Sequence, residues 1–146
     1  MPTFMKYVGD IWRCTNLNRA LEYEPLGIGC YQDSYIIHIC KHPGLTQEQL
    51  AKLIYVHKSN VTRQLMILEE KGFVYRRNHK EDKRIQLVYP TQKAWDVLPL
   101  IHQTHEAWNK RVLEGISEED QQLFFEVLER ISENAKKSLE EGNHRS

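Results

Sequence analysis

Between Leu45 and Thr91 the hydrophobic period of the chain changes from helical to alternating, and this change constrains the fold more than any other feature. Thr46-Gln47-Glu48-Gln49 has the form of a capping box, in which the threonine hydroxyl and a glutamine side chain satisfy free amides at a helix start. The helix it opens is expected to bury Leu50, Leu53 and Ile54, with Ala51 small enough for close helix contact. A turn at Tyr55-Val56 leads to a second helix, from about His57 to Lys71, where Val61, Leu65 and Leu68 form one buried stripe at i, i+4 and i+7. Gly72 supplies the left-handed residue after it. Phe73 to Arg77 and Arg84 to Tyr89 then read as paired strands around a polar tip, Asn78 to Lys83. Two short helices, a tight turn and a basic hairpin follow one another without a linker.

The charge supports a nucleic-acid role for this stretch. The formal net charge of the chain is zero, yet residues 41 to 84 carry ten Lys/Arg against five Asp/Glu. Residues 100 to 146 carry six against ten, and residues 1 to 40 three against four. Such an asymmetry focuses positive potential on one region while the rest stays acidic.

The flanking segments read as helices. From Phe4 to about Tyr23, apolar or small residues recur at Phe4, Tyr7, Val8, Ile11, Cys14, Leu17 and Leu21, and Pro25, Gly27 and Gly29 break the pattern. A short helix from about Tyr31 to Lys41 packs Tyr35, Ile36, Ile39 and Cys40 and ends at His42-Pro43-Gly44. Thr91 is expected to cap a long helix to about Leu113, bent at Pro99. Ser117-Glu118-Glu119-Asp120 resembles a second capping box and opens a last helix striped by Phe124, Val127, Leu128, Ile131, Ala135 and Leu139, with a tail that frays from Gly142. The expected class is mainly α with a small β-hairpin wing, organised as residues 1–30, a DNA-binding lobe at 31–91, and C-terminal helices at 92–146. The terminal stripes have little to pack on in one chain, so a homodimer with interlocked terminal helices is expected. Two modules on one face of a duplex would then meet half-sites about 34 Å apart.

No apolar run approaches the roughly 18 residues that span a bilayer, and the N-terminus lacks a signal peptide's apolar stretch, so the expected location is cytoplasmic and no membrane partner is implied. Three cysteines without CxxC spacing indicate neither a disulfide scaffold nor a zinc ribbon. There is no Gly-rich phosphate loop, nucleophile elbow or carboxylate pair placed together by spacing, so no enzyme is expected.

On the helix from His57, the buried stripe leaves Lys58, Ser59, Asn60, Thr62, Arg63 and Gln64 expected to face outward near its N-terminal end. Arg makes bidentate bonds to guanine, Asn or Gln to adenine, and Ser or Thr bond phosphates or base edges. In the hairpin, Arg84 is placed to enter a narrow minor groove, whose negative potential favours guanidinium. Asp82 is placed to pair with Arg84 or Arg77, while Arg76, Arg77, Lys80 and Lys83 suit phosphate contacts, which position without specifying. A winged-helix protein-interaction module would instead show apolar or aromatic residues over 58 to 64, which this chain does not.

Residues 45 to 91 resemble the winged helix of the MarR family of bacterial and archaeal regulators. The resemblance rests on Leu50-Ala51, on Ser59-Asn60-Val61-Thr62-Arg63, on Leu68-Glu69-Glu70-Lys71-Gly72-Phe73-Val74, and on Asp82-Lys83-Arg84 followed by Thr91. Helix order extends it over Phe4 to Leu139. It implies an intertwined homodimer on a pseudo-palindromic operator of double-stranded DNA, usually a repressor, released by small aromatic or phenolic anions and sometimes by oxidants or metals. His57 departs from the Asp or Ser common before the recognition helix, and Pro90 and Ala94 from the usual Leu and Gly, which puts the wing–helix junction in question.

No resident cofactor is expected, only a small-molecule effector. Arg13 is the candidate anchor for an anion, with Trp12, Tyr31 and Tyr35 as aromatic walls; an ordinary ion pair of Arg13 with Asp10 or with an acidic residue of another helix is the competing and favoured reading. Metal sensing has thinner support in His102 and His105 at i, i+3 beside Glu106, and in His38, His42 and Glu24. Cys14 and Cys40 are expected in the core, leaving Cys30 as the reactive candidate for thiol sensing.

Overall fold

The structure, a computed structural model, describes residues 3–143. Its described residues fall into two compact units, the first running to Trp108 and the second starting at Asn109. In the first, α1 (Phe4–Tyr23) ends in a single 3-10 turn, Glu24–Leu26, and Gly27 takes φ +75° just beyond it. Helix α2 (Asp33–Lys41) starts two residues later than expected. The reason is a turn before it: the Gln32 amide donates to the Gly29 carbonyl (3.0 Å), and the Gln32 side-chain oxygen accepts from the Gly29 amide (2.8 Å).

Strand β1 (Leu45–Thr46) runs into α3 (Gln47–Ile54), and the predicted capping box forms in both directions, with bonds of 3.1 and 2.9 Å between Thr46 and Gln49. Leu53 does not join the core. It is exposed, and α3 turns Leu50 and Ala51 inward with Ile54 half-buried, because two turns of helix present only one narrow face. Tyr55 adopts the left-handed conformation (φ 61°) and its amide closes α3 onto Ala51. Helix α4 (Lys58–Glu70) then buries Val61, Leu65 and Leu68 as its spacing predicts, and Gly72 follows at φ +82°.

The hairpin is β2 (Val74–Asn78) and β3 (Gln86–Pro90), paired antiparallel from Val74 opposite Pro90 to Asn78 opposite Gln86. Arg84 therefore lies in the tip rather than in a strand. β1 adds a third strand, giving the order β1-β3-β2, with Leu45 opposite Val88 and Thr46 opposite Leu87. The wing–helix junction is settled by Thr91: its hydroxyl donates to the Gly72 carbonyl (2.6 Å) and accepts from the Ala94 amide (3.4 Å) at the start of α5 (Gln92–Val112). Ala94 is fully buried beside Val97 and Ile101. Pro99 lies inside α5, which is helical on both sides of it.

The core of this unit gathers Tyr23, Tyr35, Ile36, Ile39, Leu65, Leu68, Phe73 and Val88 from both helices and sheet. Most of α1 stays outside it: Phe4, Tyr7, Ile11, Leu17 and Leu21 are exposed, and only Thr15 and Tyr23 are buried. Cys14 shares that exposed face and is not a core residue, whereas Cys40 is buried. In the second unit, α6 (Glu118–Asn143) starts with half of the expected box, the Asp120 amide donating to the Ser117 hydroxyl at 3.1 Å. Among its described residues none is buried, and Phe124, Val127, Leu128 and Leu139 face solvent. The expected fraying from Gly142 is not seen as far as Asn143, and residues 144–146 lie outside those described.

Candidate nucleic-acid interface

The N-terminal turns of α4 divide the predicted recognition residues into two groups. Lys58, Ser59, Thr62 and Arg63 are exposed, on the face opposite Val61 and Leu65. Asn60 and Gln64 flank the buried stripe and turn toward α2. The Tyr35 hydroxyl donates to Asn60 Oδ1 (2.7 Å), and the Gln32 side-chain Nε2 donates to Gln64 Oε1 (3.1 Å). They are half-buried pegs that set the roll of α4, and the expectation that they face outward is corrected accordingly. The period that buries positions 61, 65 and 68 also draws 60 and 64 to the edge of that stripe.

His57, at the N-cap, makes no side-chain capping bond, so the first-turn amides of α4 gain no side-chain acceptor there. Thr62 Oγ1 lies 3.1 Å from the Lys58 carbonyl and 3.4 Å from Gln47 Oε1, which ties the exposed face of α4 to the start of α3.

In the wing, Asp82 grips Arg84 by three bonds: Arg84 N and Nε donate to Oδ1, both at 3.1 Å, and Nη2 donates to Oδ2 at 3.2 Å. The Arg84 side chain is nonetheless 91% exposed, so the guanidinium is aimed without being covered. Its hydrogen bonds hold the Asp82 carboxyl below the ordinary carboxylate range. The backbone amides of Asp82 and Glu81 both donate to Nδ1 of His79, at 3.3 and 3.1 Å. Lys80 and Lys83 are exposed. Arg77 lies over the Tyr75 ring at 5.3 Å, and Tyr75 stacks on Tyr89 at 5.4 Å. Arg76 is half-buried and pairs with Glu69 at 2.6 Å, which uses its charge within the lobe and weakens its case as a phosphate contact.

A second polar cluster lies on the α2 side of α4. Asp33, 1% exposed at the start of α2, accepts from the Tyr23 hydroxyl (2.8 Å), lies 2.9 Å from His105 Nε2 and 3.3 Å from Arg19 Nη1, and takes the Ser34 amide on its other oxygen (2.8 Å). Burial alone would raise the Asp33 pKa, but the bond from His105, the Arg19 charge, Tyr23 and the Ser34 amide outweigh it and hold it below normal. Tyr23 is driven the other way, by burial and by the Asp33 charge. These residues, with Gln32, tie α2 to α1 and α5 on one side and to α4 on the other. The sequence gives no local signal for them, because their side-chain to side-chain bonds span 10 to 82 residues.

The predicted effector residues separate. Tyr35 is 1% exposed and belongs to the core and to Asn60 rather than to a pocket wall. Arg13 pairs with Asp10 at 2.9 Å on the surface, the favoured reading of that residue. Trp12 and Tyr31 do come together, with ring centroids 6.5 Å apart, Asn16 bonded to the Tyr31 hydroxyl (3.4 Å) and Arg19 over the Trp12 ring at 5.6 Å. His105 is engaged by Asp33 and Tyr23, and among the described residues no group of three or more His, Cys, Asp or Glu is arranged to hold a metal ion. The Cys40 thiol is pushed up to about 11 by burial, which makes it unreactive, and Cys30 is half-buried. Among the described residues no helix is long and apolar enough to cross a membrane.

The chain is similar to known proteins in sequence and fold. The model of the MarR family matches residues 34–86. An uncharacterized HTH-type transcriptional regulator of Bacillus subtilis (strain 168), YybA, is 28% identical over 148 residues, 99% of this chain and 99% of that protein. Another from the same organism, YfiV, is 31% identical over 124 residues, 83% of this chain and 78% of that protein. A MarR family regulator from Listeria monocytogenes, solved in complex with 26-mer DNA, is similar with a TM-score of 0.85 at 25% identity, covering 94% of this chain and 92% of that one.

Proposed function

The chain belongs to the MarR family, DNA-binding transcriptional regulators rather than enzymes, and from that premise we propose that it is a homodimeric repressor of a pseudo-palindromic operator. The observation that carries the reading is the pairing of an exposed polar face on α4 with an arginine held out from the wing by Asp82. In this reading Arg63, with Lys58, Ser59 and Thr62, meets base edges and phosphates in the major groove. Arg84 enters the adjacent minor groove, and Arg77, Lys80 and Lys83 hold phosphates. The uncapped first turn of α4 adds backbone donors for a phosphate.

The dimer is favoured by the apolar face of α1 and by the unburied stripe of α6, because contiguous apolar surface of that extent calls for a partner. In this organisation residues 31–91 read DNA, and residues 1–30 and 92–146 join the protomers. In this reading the protein acts on its DNA in the cytoplasm. For the effector we propose a small aromatic anion that packs on the outer face of the Trp12–Tyr31 pair, beside the guanidinium that Arg19 shares between Asp33 and the Trp12 ring. Such a ligand would shift the lobes only by binding one spacing better than the other.

Selection of binding sites from random duplex DNA at about 0.15 M salt tests the reading, since phosphate contacts alone give no motif. The expected result is an inverted repeat with half-sites about one helical turn apart. Recovery of no motif would overturn sequence-specific regulation, and recovery of a single half-site would overturn the dimer.

A further inference from the structure

The wing tip contains a hydrogen-bond arrangement that only one protonation state of a histidine can make. The amides of Glu81 and Asp82 both point at Nδ1 of His79, at 3.1 and 3.3 Å. Backbone amides are obligatory donors, so Nδ1 must offer a lone pair and the ring proton must sit on Nε2. The same turn is closed by the His79 amide on the Ile85 carbonyl (2.8 Å) and the Ile85 amide on the Asp82 carbonyl (3.0 Å). His79 thereby fixes the backbone at residue 82, and the Asp82 carboxylate fixes Arg84 through its three bonds.

We propose that His79 is a positioning residue for Arg84, and that the wing reads the flanks of a DNA site when His79 is neutral and loses that reading when its ring takes up a proton. This rests on the reading of Arg84 as the minor-groove residue. A proton on Nδ1 sets an N–H against two N–H groups, so the turn at 79–82 loses its acceptor. The new imidazolium is also drawn to the Asp82 carboxylate, where its charge competes with Arg84. Among the described residues, the hydrogen bonds of His79 stay within positions 79–85. The charged groups about it are Lys80, Glu81, Asp82, Lys83 and Arg84 in the tip and Arg77 on β2. Asp82 favours protonation, the lysines and arginines oppose it, and a DNA phosphate beside the tip favours it again. His79 is half-buried and in a surface loop, so its variants are expected to fold.

The test uses the full chain and a duplex carrying a selected operator with either A·T-rich or G·C-rich flanks, the ratio of the two affinities being the readout. For the wild type this ratio is expected to fall several-fold between about pH 7.5 and about pH 5.5. H79N, which offers a carbonyl acceptor and does not titrate, is expected to keep the ratio at both values, and H79A to lack it at both. A wild-type ratio that does not change with pH, an H79A ratio equal to the wild type at the higher pH, or an H79N ratio that still falls with acid would each overturn the proposal. R84A separates the two levels of the argument. If it keeps the flank ratio, the wing reading fails and the inference with it. If it abolishes the ratio while the His79 variants behave otherwise than stated, only the inference fails.

Discussion

Asp33 and Asp82 each hold an arginine, but they do so in opposite solvents. The Asp33 side chain is 1% exposed and takes four partners from α1, α2 and α5, whereas the Asp82 side chain is 37% exposed and spends its oxygens on one neighbour two residues away. Both carboxyls sit below their ordinary pKa, and the causes differ. At Asp33 the polar partners overcome a burial penalty; at Asp82 hydrogen bonds from Arg84 act with almost no penalty to overcome. A buried charge that loses its partners leaves others stranded, so Asp33 serves the fold. An exposed pair contributes little to stability and is useful only for the geometry it imposes, so in the proposed reading Asp82 serves the contact with DNA.

The comparison breaks most easily at Asp33. Replacing Asp33 with Ala strands Arg19 and leaves the Tyr23 hydroxyl and His105 without their shared acceptor, at an expected cost of about 3 kcal/mol. Urea unfolding at fixed protomer concentration measures it, because a self-associating chain gains apparent stability with concentration. A loss under about 1 kcal/mol would place the cluster among ordinary surface pairs. Next in size is Arg84→Ala, expected to weaken operator binding roughly ten-fold while leaving the urea midpoint unchanged. A shift in that midpoint would mean that the wing arginine also holds the fold, and the contrast between the two aspartates would collapse.

The same contrast separates what was legible in the sequence from what was not. The capping box at Thr46, the stripe of Val61, Leu65 and Leu68, and the left-handed Gly72 are local, fixed by residues within a few positions of one another. The Asp82–Arg84 pair is local as well, and the sequence placed it in the hairpin. The Asp33 cluster joins residues 10 and 72 positions apart, which no periodicity encodes. β1 has two residues, too few to alternate, and exists because β3 offers it a partner. Asn60 and Gln64 were misplaced for a related reason: a polar side chain beside an apolar stripe looks outward until Tyr35 and Gln32 are known to stand opposite. Leu53 shows the converse, an apolar residue in helical register that two turns of α3 leave in solvent.

The smallest effect is also the sharpest comparison, because both aspartates have depressed pKa values and only one of them is buried. A carboxyl whose folded pKa lies below its unfolded value near 3.8 adds stability above that value and gives it up as pH falls through the folded pKa. The wild type is therefore expected to lose stability steeply as pH drops below about 4, and Asp33→Asn, weaker at neutral pH, to show a shallower acid slope. Asp82→Asn should follow the wild-type slope, since solvent screens an exposed pair and leaves its depressed pKa with little hold on the folding equilibrium. Thermal unfolding of the three proteins across that pH range decides the matter. Equal flattening by Asp82→Asn would show that the wing turn is coupled to the global fold, and that the division between a structural and a reading aspartate is drawn in the wrong place.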